Sequence, residues 1–510
     1  MTLGIVSALR QREGRRVFAS ALGGKLLGLV LLYGVIAVVS SLLFTSAGAD
    51  TPAPAPYINP INTMWTLVAA FLVFFMQAGF MCLEAGFARQ KESVNIILEG
   101  IVDTCMCGLL FWAFGFAFMF GAGNPYIGHQ YFFLIGAPET YGATGIAMPA
   151  FWLFQFAFAD TCSTITSGAM LGRTGFVGDL FYSVGVSGFI YPIIGHWAWG
   201  PDGWLNTIKP AAFHDFAGST VVHTIGGFIA LAGAIVLGPR LGRVFKRDGG
   251  GLPPGHDLVI ASVGGVILWF GWYGFNPGST LSAMDIQGIG RVAMNTTLAA
   301  CAAGLSAMAY VYPRGKVWDC GITVNGFLAG LVAITCPCYW VNATGAVWIG
   351  LVAGVVVVMA IDFIEWLRID DPVGAVAVHG FNGIWGTLSL GFFACGKFGA
   401  PTPTGADNAS PVTGLFYGGG MSQLTAQFIG SATVTLATFA IAMGLMYAVK
   451  ATGTLRVRRD GELEGLDLHE HGAAAYPEFV LNHMGGGDYA PVGPGLGSPS
   501  PKASKTTAAS

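Results

Sequence analysis

Long runs of apolar residues constrain the fold of this chain more than any other feature of its sequence. Each run has roughly 20 or more residues, the length that an α-helix needs to cross about 30 Å of hydrocarbon. The runs lack the alternation of a membrane β-strand, so helices are the spanning form we expect. Only 10% of the 510 residues are charged, which supports an all-α membrane protein.

Eleven membrane spans are predicted from these runs. They cover 62–86, 95–121, 147–171, 176–199, 216–238, 257–277, 291–312, 319–336, 343–365, 374–396 and 420–449. Basic residues concentrate in every second connection, which the positive-inside rule assigns to the cytoplasm. Those connections include Arg89, Lys91, Arg173, Arg240 and Arg314, whereas the other connections hold only Lys209, Arg291 and Lys397. The first of these spans is therefore predicted to start outside, and the chain to end inside.

The two ends of the chain differ from its spanning part, 50–449. Residues 1–49 have a basic start, an apolar stretch and a small-x-small site at Ala47-Gly48-Ala49. This layout is typical of a signal peptide, and an uncleaved anchor helix is the alternative. Residues 450–484 are polar and are predicted to be a cytoplasmic regulatory tail. Residues 485–510 are rich in Gly, Pro, Ser and Ala and are predicted to be disordered.

Composition and motifs argue against several functional classes. A net charge of −3 gives no support for nucleic-acid binding. The Cys336-Pro337-Cys338 segment has no nearby His or second Cys pair to complete a metal site. Patterns for a catalytic triad or a phosphate-binding loop are also lacking. We therefore expect neither an enzyme nor a bound metal or cofactor.

An internal repeat points to a site within the membrane. Asp215 opens the fifth span and is followed eight residues later by His223; Asp371 and His379 repeat this spacing at the tenth span. Eight helical residues rise about 12 Å, so each His is expected near the bilayer midplane. Because each repeat holds five spans, the two have opposite topology. We predict a 5+5 inverted repeat with one extra helix.

Each of these residue types also has a simpler interpretation. A lone His in a membrane helix can simply hydrogen-bond to a neighbouring helix. Asp is favoured at helix N-caps, so Asp215 and Asp371 are interpreted as caps rather than ion ligands. Two His at equivalent positions of two repeats nevertheless favour a shared binding site.

At these residues the chain resembles the ammonium transporter family (Amt/Mep/Rh), and its Amt branch most closely. The matching strings begin at Asp215 and Asp370 and include Gly271-Trp-Tyr-Gly-Phe-Asn-Pro-Gly-Ser279 and Gly465-Leu-Asp-Leu-His-Glu-His-Gly472. The resemblance implies a homotrimer in the cell (inner) membrane, with one pore per subunit. It also implies regulation by a cytosolic PII-type signalling protein acting at the tail.

The resemblance also implies roles for single residues. His223 and His379 would line the pore as a pair, and Phe275 would be a gate. Ion recruitment would involve Trp199, Ser279, Phe158 and Cys162. Asp215 would support this site structurally, and by its matching position so would Asp371. Without the resemblance, the favoured interpretation of Trp199 is a place in an aromatic belt beside Trp197 and Trp204.

The chain departs from the family pattern at three places. Cys162 stands where many members have a second gate Phe. Asp160 is an acid where a small or apolar residue is expected, and Leu171-Gly172-Arg173 lacks a Glu before the Arg. These departures concern gating rather than membership of the family.

Transport of ammonium or ammonia is the function that we predict from these residues. The aromatic face of Trp can attract a cation, and neutral imidazoles can accept or donate a proton. An ammonium sensor that signals through residues 450–484 is the main alternative, and a gas channel of the Rh type is a third. The lack of an output domain favours the transporter, and the Trp199 and Ser279 pair argues against the gas channel.

Overall fold

A computed structural model describes residues 58–399 and 411–477, which form a bundle of helices. The α-helices are α1 (Ile58–Phe87), α2 (Ser93–Leu110), α3 (Phe116–Phe120), α4 (Met148–Gly168), α5 (Phe176–Gly185), α6 (Tyr191–Trp199), α7 (Ile225–Leu237), α8 (Leu258–Phe275), α9 (Ile286–Gly315), α10 (Cys320–Thr335), α11 (Ala343–Trp366), α12 (Asn382–Phe393), α13 (Ser422–Ala451), α14 (Arg459–Glu464) and α15 (Leu466–His471). The predicted segments 1–49 and 485–510 lie outside the described residues.

Short elements of other types join these helices. The described residues include π-helical turns at Phe111–Gly115, Val186–Ile190, Ser219–Thr224 and Val376–Phe381. Two antiparallel hairpins between α3 and α4 are formed by β1 (Gly123–Asn124) with β2 (Ile127–Gly128) and by β3 (Thr140–Tyr141) with β4 (Ile146–Ala147). The π-helical turns matter here, because such turns are rare and frequently lie at functional sites.

The helical membrane class is confirmed in its broad form. Within the described ranges, 8 helical segments are long and apolar enough to cross a membrane. The other three predicted spans coincide with α10, which has only 16 residues, with α4, and with α12 and its preceding π-helical turn. α4 and α12 contain buried polar side chains such as Asp160 and Asn382. The count of eleven spans and the orientation remain predictions.

Four consecutive helices begin at a capping side chain. Asp257, Asp285, Asp319 and Asn342 each accept a hydrogen bond from a backbone amide in the first turn of the following helix. Such a cap satisfies an amide that has no partner within the helix. The starts of α8, α9, α10 and α11 are thus set by the local sequence.

Glycines bring α1 and α8 into close contact. A β-carbon at Gly79 would lie 3.0 Å from the backbone oxygen of Gly264, and one at Gly86 would overlap the backbone of Asp257. Small residues of this kind let membrane helices approach closely enough for dispersion contacts. α9 packs in turn against α10 and α11, and α13 against α7.

Buried ionic groups join the loops on the tail side of the bundle. The Arg240 guanidinium donates to both carboxylate oxygens of Asp370 at 2.8 Å, and Arg173 donates to the carbonyl oxygen of Asp370 at 2.6 Å. Burial by itself would raise the pKa of Asp370. The hydrogen bonds with Arg240 and the charges of Arg173 and Arg240 outweigh this effect and hold the pKa well below its usual range. Asp370 therefore remains ionised and anchors the loop that leads to Asp371.

Gly227 and Gly380 allow a close approach near the two histidines. A β-carbon at Gly227 would overlap the backbone nitrogen of Gly380. Gly227 lies one helical turn after His223, and Gly380 directly follows His379. This contact therefore sets how closely the two histidine-bearing segments approach each other.

We expect Gly227→Ala to destabilise the protein, because the added methyl group must push the two segments apart. Overpacking of this kind costs about 1–3 kcal/mol. Gly444→Ala is the matched control, because no atom lies within 4 Å of a β-carbon built at Gly444 in α13. Thermal unfolding of both variants in detergent measures the difference. Equal unfolding temperatures for the two variants would contradict this account.

Candidate functional site

Two aspartates hold the π-helical turns that carry the histidines. The donors to Asp215 are the backbone amides of Gly218, Ser219, Thr220 and Val221, at 2.8–3.0 Å. Those to Asp371 are the amides of Gly374, Ala375 and Val376, at 2.8–3.1 Å. Both carboxyl groups thus satisfy amides at a helix start, where partners within the helix are missing.

A glycine with positive φ follows each aspartate by three residues. The φ angle is 113° at Gly218 and 79° at Gly374, a region that residues with a β-carbon rarely adopt. A β-carbon at Gly218 would also lie 3.1 Å from the indole ring of Trp199. The Asp-x-x-Gly pattern is therefore a backbone requirement of both turns.

His223 and His379 meet at the centre of the bundle. Their Nδ1 atoms are 3.2 Å apart, and their rings are stacked with an interplanar angle of 29°. One Nδ1 must carry a hydrogen and the other must accept it, so each ring fixes the tautomer of its partner. Both side chains are buried, and His223 Nε2 has no hydrogen-bond partner among the described residues.

Aromatic rings lead from Trp199 to this pair, and we refer to Trp199, Phe158, Phe275 and His223 as the aromatic file. The centroids of Trp199 and Phe158 are 6.0 Å apart, and those of Phe158 and Phe275 are 4.0 Å apart in a stacked arrangement. Phe275 in turn stacks on His223 at 5.4 Å. The two stacked phenylalanines lie between Trp199 and the histidines.

Hydrogen bonds fix the outer members of the file. The indole N–H of Trp199 donates to the carbonyl oxygen of Asp215 at 2.8 Å, so the same residue positions both the indole and the histidine turn. The hydroxyl of Ser279 donates to the carbonyl oxygen of Phe275 at 2.8 Å, which leaves the lone pairs of the hydroxyl as acceptors. Ser279 thereby joins the site through Phe275.

The position of Cys162 differs from that of the other predicted site residues. Cys162 is fully buried one helical turn after Phe158, and the aromatic file runs from Phe158 to Phe275 without a ring at that position.

A small cavity lies against His379, beyond the end of the file at His223. Its lining includes the apolar side chains of Phe80, Leu83 and Ile165.

Sequence reasoning missed two rings that contact the histidines. Trp272 stacks on His223 with centroids 5.2 Å apart, and its indole N–H donates to the Thr335 hydroxyl at 2.9 Å. Phe80 lies 6.5 Å from His379. Trp272 belongs to the Gly271–Ser279 string, but nothing in the string distinguishes its role from that of a core tryptophan.

The sequence model of the Ammonium Transporter Family matches residues 64–476. This chain belongs to the ammonium transporter family. The match covers the elements that carry the histidines, the aromatic file and the tail, and it confirms the resemblance found in the sequence. Its family and its apolar helices together make this chain a multi-pass membrane protein. Membership of the family supports ammonium transport as its function.

Individual relatives agree with this assignment. The ammonium transporter Amt2 of Archaeoglobus fulgidus is 44% identical over 463 residues, which cover 88% of this chain and 95% of the relative. A solved structure of a sensor Amt protein has a TM-score of 0.73 and 38% identity, covering 81% of this chain and 99% of its own. The Mep2 structure from Candida albicans has a TM-score of 0.70 and 27% identity, covering 79% and 87%.

We expect Asp215→Asn to destabilise the protein by at least about 2 kcal/mol, because buried amides that lose their acceptor cost about 1–3 kcal/mol each. Asp257→Asn is the matched control: Asp257 caps α8 by accepting from the amides of Val259 and Ile260 in an exposed setting. The control should lose about 1 kcal/mol or less. Thermal unfolding in detergent compares them, and an equal loss for both variants would argue against the role assigned to Asp215.

Proposed function

We propose that this chain transports ammonium by binding the ion beside Trp199, removing one proton, and passing ammonia between His223 and His379. The observation that carries this proposal is the pair of buried imidazoles joined at 3.2 Å, at the end of a file that contains only aromatic rings. A charged ion is costly in such surroundings, whereas a small neutral amine is not. The file therefore favours ammonia over any ion that cannot lose a proton.

The outer end of the file suits a cation with N–H groups. The face of Trp199 can attract the charge, which is worth about 0.5–2 kcal/mol. The Ser279 hydroxyl can accept a hydrogen bond from the ion, because its own hydrogen is used on the Phe275 carbonyl. The stacked rings of Phe158 and Phe275 would then separate this outer end of the file from the histidines.

The histidine pair provides a route for the proton. A proton added to the free nitrogen of one ring can move across the Nδ1–Nδ1 contact while the far nitrogen of the other ring releases one. Potassium has no proton to lose and would have to enter the file as a bare cation. Selectivity thus follows from chemistry rather than from ion size.

The remaining predicted features belong to this proposal. We place the protein in the cell (inner) membrane with Trp199 on the outer side, as a homotrimer with eleven spans, following the charge pattern and the family resemblance. We also propose regulation by a PII-type protein that acts at the tail. The tail contacts the connection between α1 and α2, so a protein bound to the tail would also affect that connection. Lys91 donates to the carbonyl oxygens of Leu463 and Glu462.

A sensor function is the second candidate. The similarity to the sensor Amt protein, at 38% identity, favours it specifically. A sensor would bind ammonium at the same outer site and signal through the tail. Current recordings on purified protein in lipid after an ammonium pulse distinguish the two, since a pure sensor passes no ammonium-driven flux.

We expect Trp199→Leu combined with Ser279→Ala to raise the half-saturating ammonium concentration roughly 10-fold, because both the cation–π contact and the hydroxyl acceptor are lost. Uptake at micromolar ammonium into vesicles measures this. Trp197→Leu is the control, since the Trp197 indole donates to Tyr126 outside the aromatic file. Unchanged uptake by the double variant would rule out the proposed recruitment site.

We expect His223→Asp to admit potassium, because a carboxylate in the file lowers the cost of an intact cation. Replacing both His223 and His379 by Ala should abolish the ammonium-driven current, because no group remains to carry the proton. Potassium and ammonium fluxes are measured side by side in sealed vesicles, with His256→Gln as a control outside the file.

The double alanine variant decides whether the pair acts chemically. Full ammonium-driven current with potassium still excluded would show that the imidazoles are only structural. The proposed passage between the histidines would then be wrong.

A further inference from the structure

A second series of buried polar groups lies on α2, apart from the aromatic file. Asn95, Glu99, Asp103 and Cys107 recur every fourth residue and therefore share one face of the helix. Their side chains are at most 4% exposed. Four such residues extend about 18 Å along the helix axis, so this polar face reaches deep into the bundle.

α5 and the π-helical turn after it present matching groups to this face. The Asp179 and Asp103 carboxyl groups face each other, and the Tyr182 hydroxyl donates to Asp179. Ser183 lies beside Asp103, and Ser187 lies beside Cys107. Two helices thus enclose a polar layer within an apolar bundle.

Carboxyl groups from two more helices surround this layer. Glu84 on α1 and Asp160 on α4 lie close enough to Asp103, Asp179 or Glu99 to interact electrostatically. No ion pair in 58–399 or 411–477 includes any of these five acids. An ionised carboxylate without a cation is costly at such a position, so burial favours the protonated form of these acids.

Several polar atoms in the layer have no hydrogen-bond partner among the described residues. They include the hydroxyls of Ser183 and Ser187 and both carboxyl oxygens of Asp160. The Gln77 side-chain oxygen accepts from Thr164 at 2.8 Å, while its free amide nitrogen faces Asp160 beyond hydrogen-bond distance. The carboxyl oxygens of Asp160 can thus bind a proton, and the hydroxyl and amide groups can hydrogen-bond to a protonated carboxyl group or to water.

One end of the layer reaches the tail. The backbone amide of Asn95 donates to Asp467 at 2.9 Å, and the Asn95 side-chain oxygen lies 2.8 Å from His471 Nε2. The Asn95 side chain also contacts Glu99. Burial lowers the pKa of His471, against the opposing charges of Glu470 and Asp467. Glu470 also lies close enough to Glu99 to interact electrostatically.

We propose that Glu99, Asp103 and Asp179 form a proton-binding site between α2 and α5 that exchanges protons with the tail side of the protein past Asn95 and His471. Each step moves one proton between neighbouring carboxyl oxygens, water or a ring nitrogen of His471: the O–H or N–H bond of the donor breaks as the bond to the acceptor forms, and Asn95 takes part only through hydrogen bonds. Proton binding itself does not need ammonium. The use of the site in transport, as a store for protons released from ammonium, rests on the proposed function.

Infrared spectroscopy tests the site directly in the full-length protein in lipid bilayers. Wild-type protein should show a carbonyl band of protonated carboxyl groups that titrates with pH and shifts in D₂O. The variant Asp103→Asn with Asp179→Asn should lose the part of that titrating band that these two carboxyl groups contribute. Asp362→Asn is the control, because Asp362 forms an exposed ion pair with Lys246, and it should retain the band.

A band that persists unchanged in the double variant would overturn the proposal, and so would a band that does not exchange in D₂O. Milder variants keep the test available if the double variant fails to fold. Asp103→Glu should retain the band, and Ser183→Ala should shift the midpoint of its titration. An identical midpoint for Ser183→Ala would likewise overturn the proposal.

Ammonium flux in the same preparations separates this proposal from the function on which it rests. Wild-type protein without flux would refute transport but leave the infrared result standing. Normal wild-type flux together with an unchanged band in the double variant would overturn the proton-binding site alone.

Discussion

The hydrogen bonds that Asp215 and Asp371 accept from backbone amides are the interactions on which the centre of this protein depends. In a bilayer no water can satisfy an unpaired amide, so a helix that begins inside the protein needs an acceptor there. Asp215 satisfies four amides and Asp371 three. Each carboxylate thereby fixes a π-helical turn, and each turn presents one histidine to the other.

The other contacts of the site extend from this arrangement. The carbonyl of Asp215 also holds the Trp199 indole, so the outer and central parts of the file share one anchor. Gly227 and Gly380 allow the two segments to approach closely enough for the imidazoles to touch. At the second repeat, the contacts of Asp370 with Arg240 and Arg173 fix the loop before Asp371. A local change at either aspartate would therefore displace rings as well as backbone.

Sequence reasoning predicted the parts of this arrangement that local patterns encode. The apolar runs indicated the helices, and the repeated spacing from Asp to His indicated which residues would meet. It placed the start of α9 at residue 291 instead of Ile286, because the cap at Asp285 precedes polar residues that obscure the helix. The π-helical turns were not predicted, because their hydrogen-bond pattern leaves no mark in composition. Trp272 comes to the histidines, and Glu84, Asp160 and Asp179 come to Asp103, from other helices, so no spacing rule could join them. The four-residue spacing of Glu99 and Asp103 on α2 was present in the sequence but was not used, and Asp160 was noticed only as a departure.

The single hydrogen between the two Nδ1 atoms gives the histidine pair a direction. When a proton enters at one ring and another leaves from the far ring, the shared hydrogen changes owner and the polarity of the pair is reversed. A second proton cannot follow the same way until both rings return to their original tautomers. His223 is stacked between Trp272 and Phe275, which hinders rotation of its ring. In the proposed mechanism the pair must therefore be reset after each proton has passed, and this resetting step would limit turnover.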